Sequence, residues 1–357
     1  MSVAQTSRTL VGRLVALGIG LIMALAICEI LLRIAFPHWR EFYSGWFMTL
    51  VNVPGHPPLV VGTPGFDGYF AQNNGDFRTR IRINENGLRN DEPIEAANGR
   101  LWAIGDSMTF GWGVERNQNF TAIIGERARV PTYNVAAPGA DVCGYETLAA
   151  RMPESVKPSM VVVGLILEND LAAYDCERAA DRSKAEMNSA ADTSLSLMEV
   201  KRKLTEVSAF YNFMAVALKR VNLVQEVMIR LHLINEAHQD HAAAPEAGRS
   251  AVIDGTVTEL ARLRSMFAGV PFAVLIAPAR FEIRDGDPAY AQVRHDLVAQ
   301  LSTRGIDTID PFEEFQRVGL DATHFKHDGH WNAEGHKIAG EAVAVWAESH
   351  HSSPPAQ

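Results

Sequence analysis

The groups this chain offers for covalent chemistry are a serine, a histidine with a nearby acid, and a few polar residues able to donate hydrogen bonds. The serine is Ser107, in Ala103-Ile104-Gly105-Asp106-Ser107-Met108-Thr109-Phe110-Gly111. The histidine is His330, in a stretch from Asp321 to His336 that is dense in His and Asp. Asp328 stands two residues before it. In an extended backbone residues i and i+2 point the same way, so the carboxylate can reach the imidazole. Such a pair fixes the histidine tautomer and steadies an imidazolium, the condition for a histidine to take a serine proton. Asp321 and His324 form a second acid–histidine pair at i, i+3. His330 stands out because Asp328 is only two residues away. Four histidines also invite a metal reading, but no His-Glu-x-x-His helix is present and no metal is expected. His324, His327 and His336 read instead as polar surface or helix-packing residues.

These groups need a scaffold. Arg100 to Ile104 reads as a short buried strand, so Ser107 sits just past a strand's carboxyl end, where open α/β sheets place their ligands. Gly105 allows a sharp turn, and Asp106 and Thr109 are candidate caps for the turn at the serine. Further strands are read at Thr132–Ala137, Ser159–Leu167, Pro271–Pro278 and Ile306–Asp310. Helices are read at Phe120–Ala128, Tyr145–Met152, Val257–Phe267, Tyr290–Ser302 and Ala333–Ser349, the last capped by Asn332. Strands alternating with helices predict a doubly wound parallel sheet. The expected fold class is α/β, a flavodoxin-like three-layer sandwich with a five-stranded parallel sheet, a helical insertion and an N-terminal transmembrane helix. Strand order is left open.

The insertion, 179–248, carries Leu195, Met198, Leu204, Val207, Phe210, Tyr211, Met214, Leu218, Val221, Val224, Met228 and Leu231 near helical spacing, with basic residues between. It reads as an amphipathic helical pair packed on the sheet, with a lid or membrane-surface face as the alternative. His238 to Gly248 reads as a loop. Before the serine, Val51–Thr63 reads as an extended, Pro-broken linker, Arg78–Asn84 as an edge strand or hairpin, and Asn86-Gly87 as a tight turn. This lead-in is expected to pack on the core domain and to border the substrate entrance.

The chain is apolar without a break from Leu14 to Cys28 and again from Ile30 to Phe36, and Val11 to Phe36 as a whole exceeds the ~20 residues needed to cross a bilayer. Glu29 and Arg33 can pair at i, i+4 near the water boundary, Pro37 ends the helix and Trp39 comes shortly after. A cleaved signal peptide is the alternative, since Ala24-Leu25-Ala26 resembles a cleavage site. The apolar run continues past that site, which favours an anchor. The net charge of −9 and the lack of a Lys/Arg block exclude a nucleic-acid footprint. Of three cysteines, Cys143 and Cys176 either pair in an oxidising compartment or stay as buried thiols, and Cys28 lies in the apolar run.

Together these pieces resemble the SGNH/GDSL hydrolase family. Its serine block resembles Gly105-Asp106-Ser107, its glycine block Gly139, its asparagine block Asn169-Asp170 and its histidine block His330-Trp331-Asn332. Leu167 stands where the family often has glycine, and Asp-x-His replaces the usual Asp-x-x-His, a form similar to that of membrane-associated acyltransferase relatives. The resemblance covers 100–349 apart from the insertion. It implies a nucleophile at Ser107, with His330 as base and Asp328 orienting it. It also implies an oxyanion hole from Ser107, Gly139 and Asn169, and no cofactor. Trp112 and Phe110 flank the serine as substrate contacts or core residues. The expected domains are a tail and anchor at 1–37, a β-rich lead-in at 38–99, the hydrolase-like domain at 100–349 and a disordered tail at 350–357. The expected activity is serine-dependent hydrolysis of an acylated carbohydrate, lipid or small ester. An O-acyltransferase acting on an envelope polysaccharide, or a non-catalytic partner in such a system, is the alternative. The expected location is the cell membrane, with the catalytic domain in the periplasm.

Overall fold

The computed structural model describes residues 3–72, 75–181, 200, 203–217, 230 and 248–351. Contacts divide the chain into two compact units, one of Met1–Trp46 with Asp192–Asn235 and one of Phe47–Ala191 with Glu236–Gln357.

The larger unit begins with two antiparallel hairpins. Strands β1 (Met48–Val51) and β2 (Leu59–Gly62) pair, as do β3 (Asp67–Ala71) and β4 (Arg78–Arg82). The first hairpin corrects the expectation of an extended linker over Val51–Thr63. Prolines lie in the connection at Pro54, Pro57 and Pro58, outside the paired residues, where a missing N–H costs no ladder bond. The lead-in packs an aromatic cluster of Phe47, Phe70 and Phe77 onto Phe110 and Trp112 just after the serine.

The five remaining strands are β5 (Leu101–Gly105), β6 (Thr132–Ala136), β7 (Met160–Ile166), β8 (Phe272–Ala277) and β9 (Asp307–Ile309). They form one parallel sheet in the order β6-β5-β7-β8-β9. Counted within this sheet the order is 2-1-3-4-5, the flavodoxin-like arrangement. Its central strands are buried on both faces, as their unbroken Val, Ile, Leu and Ala content requires. Trp102 and Ile104 face a layer built with the helices Val142–Ala150, Arg249–Ser265 and Pro288–Thr303. Leu101 and Ala103 face the opposite layer, with Phe120–Ala128 and Ala333–His350. Short helices at Arg280–Asp285, Phe312–Val318 and Leu320–Thr323 have no signature in the sequence, being too short to show an apolar period.

Sheet and serine meet through one notch. Thr109, expected as a cap, is instead wholly buried, its hydroxyl without a hydrogen-bond partner among the described residues. A Cβ on Gly105 would lie 2.2 Å from Thr109 Oγ1, and one on Gly164 of β7 would lie 2.3 Å from it. Two strand glycines thus let Thr109, two positions past the serine, press onto the sheet.

In the smaller unit one helix runs from Val3 to Ala35, and Gly12–Ala35 is long and apolar enough to cross a membrane. Residues 203–207 and Ala209–Asn212 are helical. The expected apolar positions Leu195, Met198, Leu218, Val221, Val224, Met228 and Leu231, the loop at 238–247 and most of the tail lie outside the described residues.

Gly164→Ala is expected to lose about 1–3 kcal/mol of stability by overpacking against Thr109. Thr109→Ala in the same chain should restore most of it, because the clashing atom is the hydroxyl. Urea unfolding of the two single variants and the double variant checks this coupling.

Candidate active site

Three loops leave the carboxyl ends of adjacent strands. β5 leads to Ser107, its neighbour β6 to Gly139, and its other neighbour β7 to Asn169. The registers Gly105 with Ala136 and Ile104 with Val163 bring the strand ends level.

Ser107 opens a helix of four residues, Ser107–Phe110. Asp106 caps it, its Oδ1 accepting from Met108 N at 2.9 Å, and Gly111 ends it with φ 87°. The carbonyls at its far end are buried and answered by side chains from elsewhere. Thr109 O accepts from Asn119 Nδ2 and Asn134 Nδ2, and Phe110 O from Asn119 Nδ2 and Arg89 Nη1. Arg89, wholly buried, also donates to the carbonyls of Gly111, Val114 and Arg80. Burial pushes its guanidinium pKa down to about 10.

His330 Nε2 lies 2.8 Å from Ser107 Oγ, and His330 Nδ1 is hydrogen-bonded to Asp328 Oδ1. An ionised carboxylate only accepts, so Nδ1 holds the ring hydrogen and Nε2 presents its lone pair to the serine hydroxyl. The i, i+2 reach has a different cause from the extended strand expected. Asp328 Oδ1 also accepts from His330 N at 3.0 Å, an Asx turn in which the carboxylate folds back onto its own backbone. The turn sits in a small loop closed by the antiparallel bridge His324–Trp331 and by Phe325 N donating to His330 O. Gly329, between acid and base, leaves room for the Arg280 guanidinium, whose Nη1 would be 2.6 Å from a Cβ there. Arg280 in turn grips Glu168, next to Asn169, through Nε and Nη2. The other open pair does not converge: Asp321 is exposed, and His324 is buried against Thr323.

The lead-in reaches this loop. Gln72 Nε2 donates to Asp328 Oδ2, the oxygen not used by His330. Asp76 accepts from His327 N at 2.9 Å and pairs with its ring. Trp112 stacks on His330 with ring centroids 5.6 Å apart and is itself held edge-on by Phe70. Phe110 is core, beneath Arg89. Gln72 carries no sequence signal, since one glutamine in a polar loop looks like any other.

Gly139 has φ 78°, which calls for glycine, and among the described residues nothing beyond its chain neighbours would lie within 4 Å of a Cβ there. The Asn169 side chain is exposed. Asp170 fixes its turn: Oδ2 accepts from Ile166 N and from Tyr145 OH, both at 2.7 Å. Cys143 and Cys176 form a disulfide that ties the segment after Gly139 to the segment after Asp170. Glu146 and Glu259 lie beside Cys176, but its sulfur is already bonded and offers no thiolate to a metal.

Buried titratable groups surround the serine. Burial pushes the Asp106 carboxyl up to about 6, opposed by His330 and by the amides it caps. Burial raises Asp170 well above the usual carboxylate range, and the charge of Asp106 adds to this. His324 and His336 are held down to about 3 by burial, and His336 Nδ1 accepts from Phe120 N as part of helix packing. A cavity of about 510 Å³ between Phe77, Gly113, Phe325 and Asn332 is lined by none of Ser107, Asp328 or His330.

No family model matches the sequence, and no curated protein matches it. Among solved structures, similarity is found to a member of the lipolytic protein G-D-S-L family from Veillonella parvula. It is 14% identical, with 69% of this chain and 96% of that one covered and a TM-score of 0.36. The lipase/acylhydrolase from Enterococcus faecalis is 10% identical, with 72% and 100% covered and a TM-score of 0.42. A carbohydrate esterase family 2 enzyme with a carbohydrate-binding domain from Corynascus thermopiles is 13% identical, with 85% and 90% covered and a TM-score of 0.40. Likeness at this level says nothing of activity, which has to be read from the chain's own side chains.

The raised carboxyl of Asp106 makes a signed prediction. Its pKa is about 3.9 unfolded and higher folded, so the folded state holds the proton between those values and loses stability as pH rises through about 6. Asp106→Asn keeps the capping oxygen and cannot ionise. Its stability relative to the parent should therefore be greater at pH 8 than at pH 4, measured by denaturant unfolding at both.

Proposed function

We propose that this chain is an ester-cleaving, acyl-transferring serine enzyme of the SGNH/GDSL hydrolase family, held to a membrane by its N-terminal helix with the catalytic body on the extracytoplasmic side. The observation that carries the reading is the chain of contacts from Ser107 Oγ to His330 Nε2 and from His330 Nδ1 to Asp328. The Cys143–Cys176 disulfide supports the compartment, since such bonds persist where the surroundings are oxidising.

In the reaction Ser107 Oγ bonds to the acyl carbon while its proton passes to His330 Nε2. Asp328 steadies the imidazolium. The carbonyl oxygen gains negative charge, which the backbone N–H groups of Ser107 and Gly139 and the Asn169 amide stabilise. As the ester C–O bond breaks, His330 returns the proton to the leaving alcohol. A second hydroxyl then attacks the acyl carbon, its proton again taken by His330; as the bond from the acyl carbon to Ser107 Oγ breaks, His330 returns that proton to Oγ and the serine is restored. Water as that hydroxyl makes the chain an esterase removing acyl groups from a carbohydrate, lipid or small ester. A sugar hydroxyl makes it an O-acyltransferase, the second reading, which the Asp-x-His-Trp form and the apolar N-terminal helix support.

A fluorophosphonate probe should label Ser107 in the full-length protein, and Ser107→Ala should abolish labelling. Labelling of the parent at a residue other than Ser107, or none at all, would reject the nucleophile. Gln72→Leu should slow labelling by roughly tenfold, the effect of one lost hydrogen bond to a charged group. Gln72→Glu places a second carboxylate against Asp328 and should do at least as much harm. Asn169→Ala should reduce turnover of a model acyl ester by ~10²–10³-fold with little change in KM. Product analysis with and without a carbohydrate acceptor separates hydrolysis from transfer.

A further inference from the structure

Glu29 is a carboxylate on the apolar helix, six residues before its end, and a charge there is costly unless paired. Its donors come largely from the insertion. Besides Arg33 Nε at 2.7 Å, it accepts from Ser208 Oγ at 2.9 Å, Ala209 N at 2.9 Å and Phe210 N at 2.8 Å. Two further ties run the same way: Arg33 Nη2 donates to Val207 O at 2.7 Å, and Arg40 Nε to Glu206 O at 3.2 Å. Phe213 packs on Phe36 with ring centroids 5.8 Å apart. Segment 206–213 is therefore fastened to the last turns of the N-terminal helix, within about 9 Å of its end at 1.5 Å per residue.

Among the described side chains of 203–215 the exposed ones are Lys203, Leu204, Val207 and Met214, three of the four apolar. Val207 is 57% exposed, Leu204 40% and Met214 41%, and Phe36 and Trp46 of 36–46 are exposed as well. Arg33 and Arg40 lie over the Trp39 ring, and Arg40 also over Trp46. Aromatic rings under arginines at the end of an apolar span, with aliphatic side chains turned outward, have the composition of a membrane–water boundary.

We propose that residues 203–217, together with 36–46, form a collar lying in the headgroup layer of the bilayer, so that a segment far along the chain holds a second membrane contact. The occupant of the exposed apolar rim is lipid, because the rim is continuous with the helix end that would enter the bilayer. The inference rests on that helix remaining as an anchor. The collar fixes the insertion at the membrane surface and makes it a lipid-facing element.

The test uses the full-length protein with Cys28→Ser and the disulfide left oxidised, reconstituted in phosphatidylcholine vesicles. Single cysteines replace Val207, Met214 or, as a control on the C-terminal helix, Val345, and each is labelled with bimane. With lipids carrying a quencher just below the headgroup, Val207→Cys and Met214→Cys labels should lose more than about half their emission, as interfacial residues do, and Val345→Cys little. Glu29→Gln should reduce quenching at position 207. Quenching at 207 and 214 no greater than at 345, in protein that stays with the vesicles in alkaline carbonate, overturns the collar alone. Release of the protein by carbonate overturns the anchor and the collar with it.

Discussion

A four-residue helix is too short to hold itself together, because nucleation is costly and each end leaves backbone groups without partners. Ser107 stands at the start of such a helix, with its far end sealed inside the protein. Each buried carbonyl left unpaired there would cost about 1–3 kcal/mol. Arg89 from the lead-in, Asn119 from the next loop and Asn134 from β6 supply the missing donors, so three distant parts of the chain must be in place before the serine has a fixed position. The glycine notch beneath Thr109 works from the other side by letting this helix sit flush on the sheet.

The same need to satisfy buried backbone shapes the electrostatics. Asp106 and Asp170 are both buried, and the charge of Asp106 raises the proton affinity of Asp170. Each carboxylate accepts from a backbone N–H group and so closes a loop. They act as fasteners for the serine turn and the Asn169 turn. His330 differs from its three histidine neighbours in what surrounds it. His324 and His336 are kept neutral by burial, and His327 is paired to Asp76 at the surface. Only His330, among these four, has an acid on one ring nitrogen and a hydroxyl on the other.

Much of the α/β core is legible in the sequence because buried parallel strands are continuous apolar runs. Helix Phe120–Ala128 has the limits its residue pattern predicts, and the five strands fall within a residue or two of theirs. Strand order is not legible, since it depends on which helix crosses which face. The lead-in is deceptive where it matters: prolines near Val51–Thr63 hide a hairpin, because their placement in the connection is a three-dimensional fact. The pairing of Asp328 with His330 is legible from spacing, but its cause is not, as an Asx turn and an extended strand bring i and i+2 together equally well. Gln72, Arg89 and Arg280 are silent because their roles arise from contacts between segments far apart in sequence.

The hydrogen bond from Gln72 to Asp328 has a practical reach beyond the site. Anyone trimming the gene to the recognisable sheet, starting near Arg100, would keep every residue that a pattern search could name. The product would still carry its strands in order, yet it would lack the clamp on the carboxylate, the arginine plug behind the serine and the aromatic ring that steadies Trp112. Such a fragment is a poor stand-in for the whole, and the shortest useful recombinant form begins no later than Phe47, where the aromatic cluster of the lead-in starts.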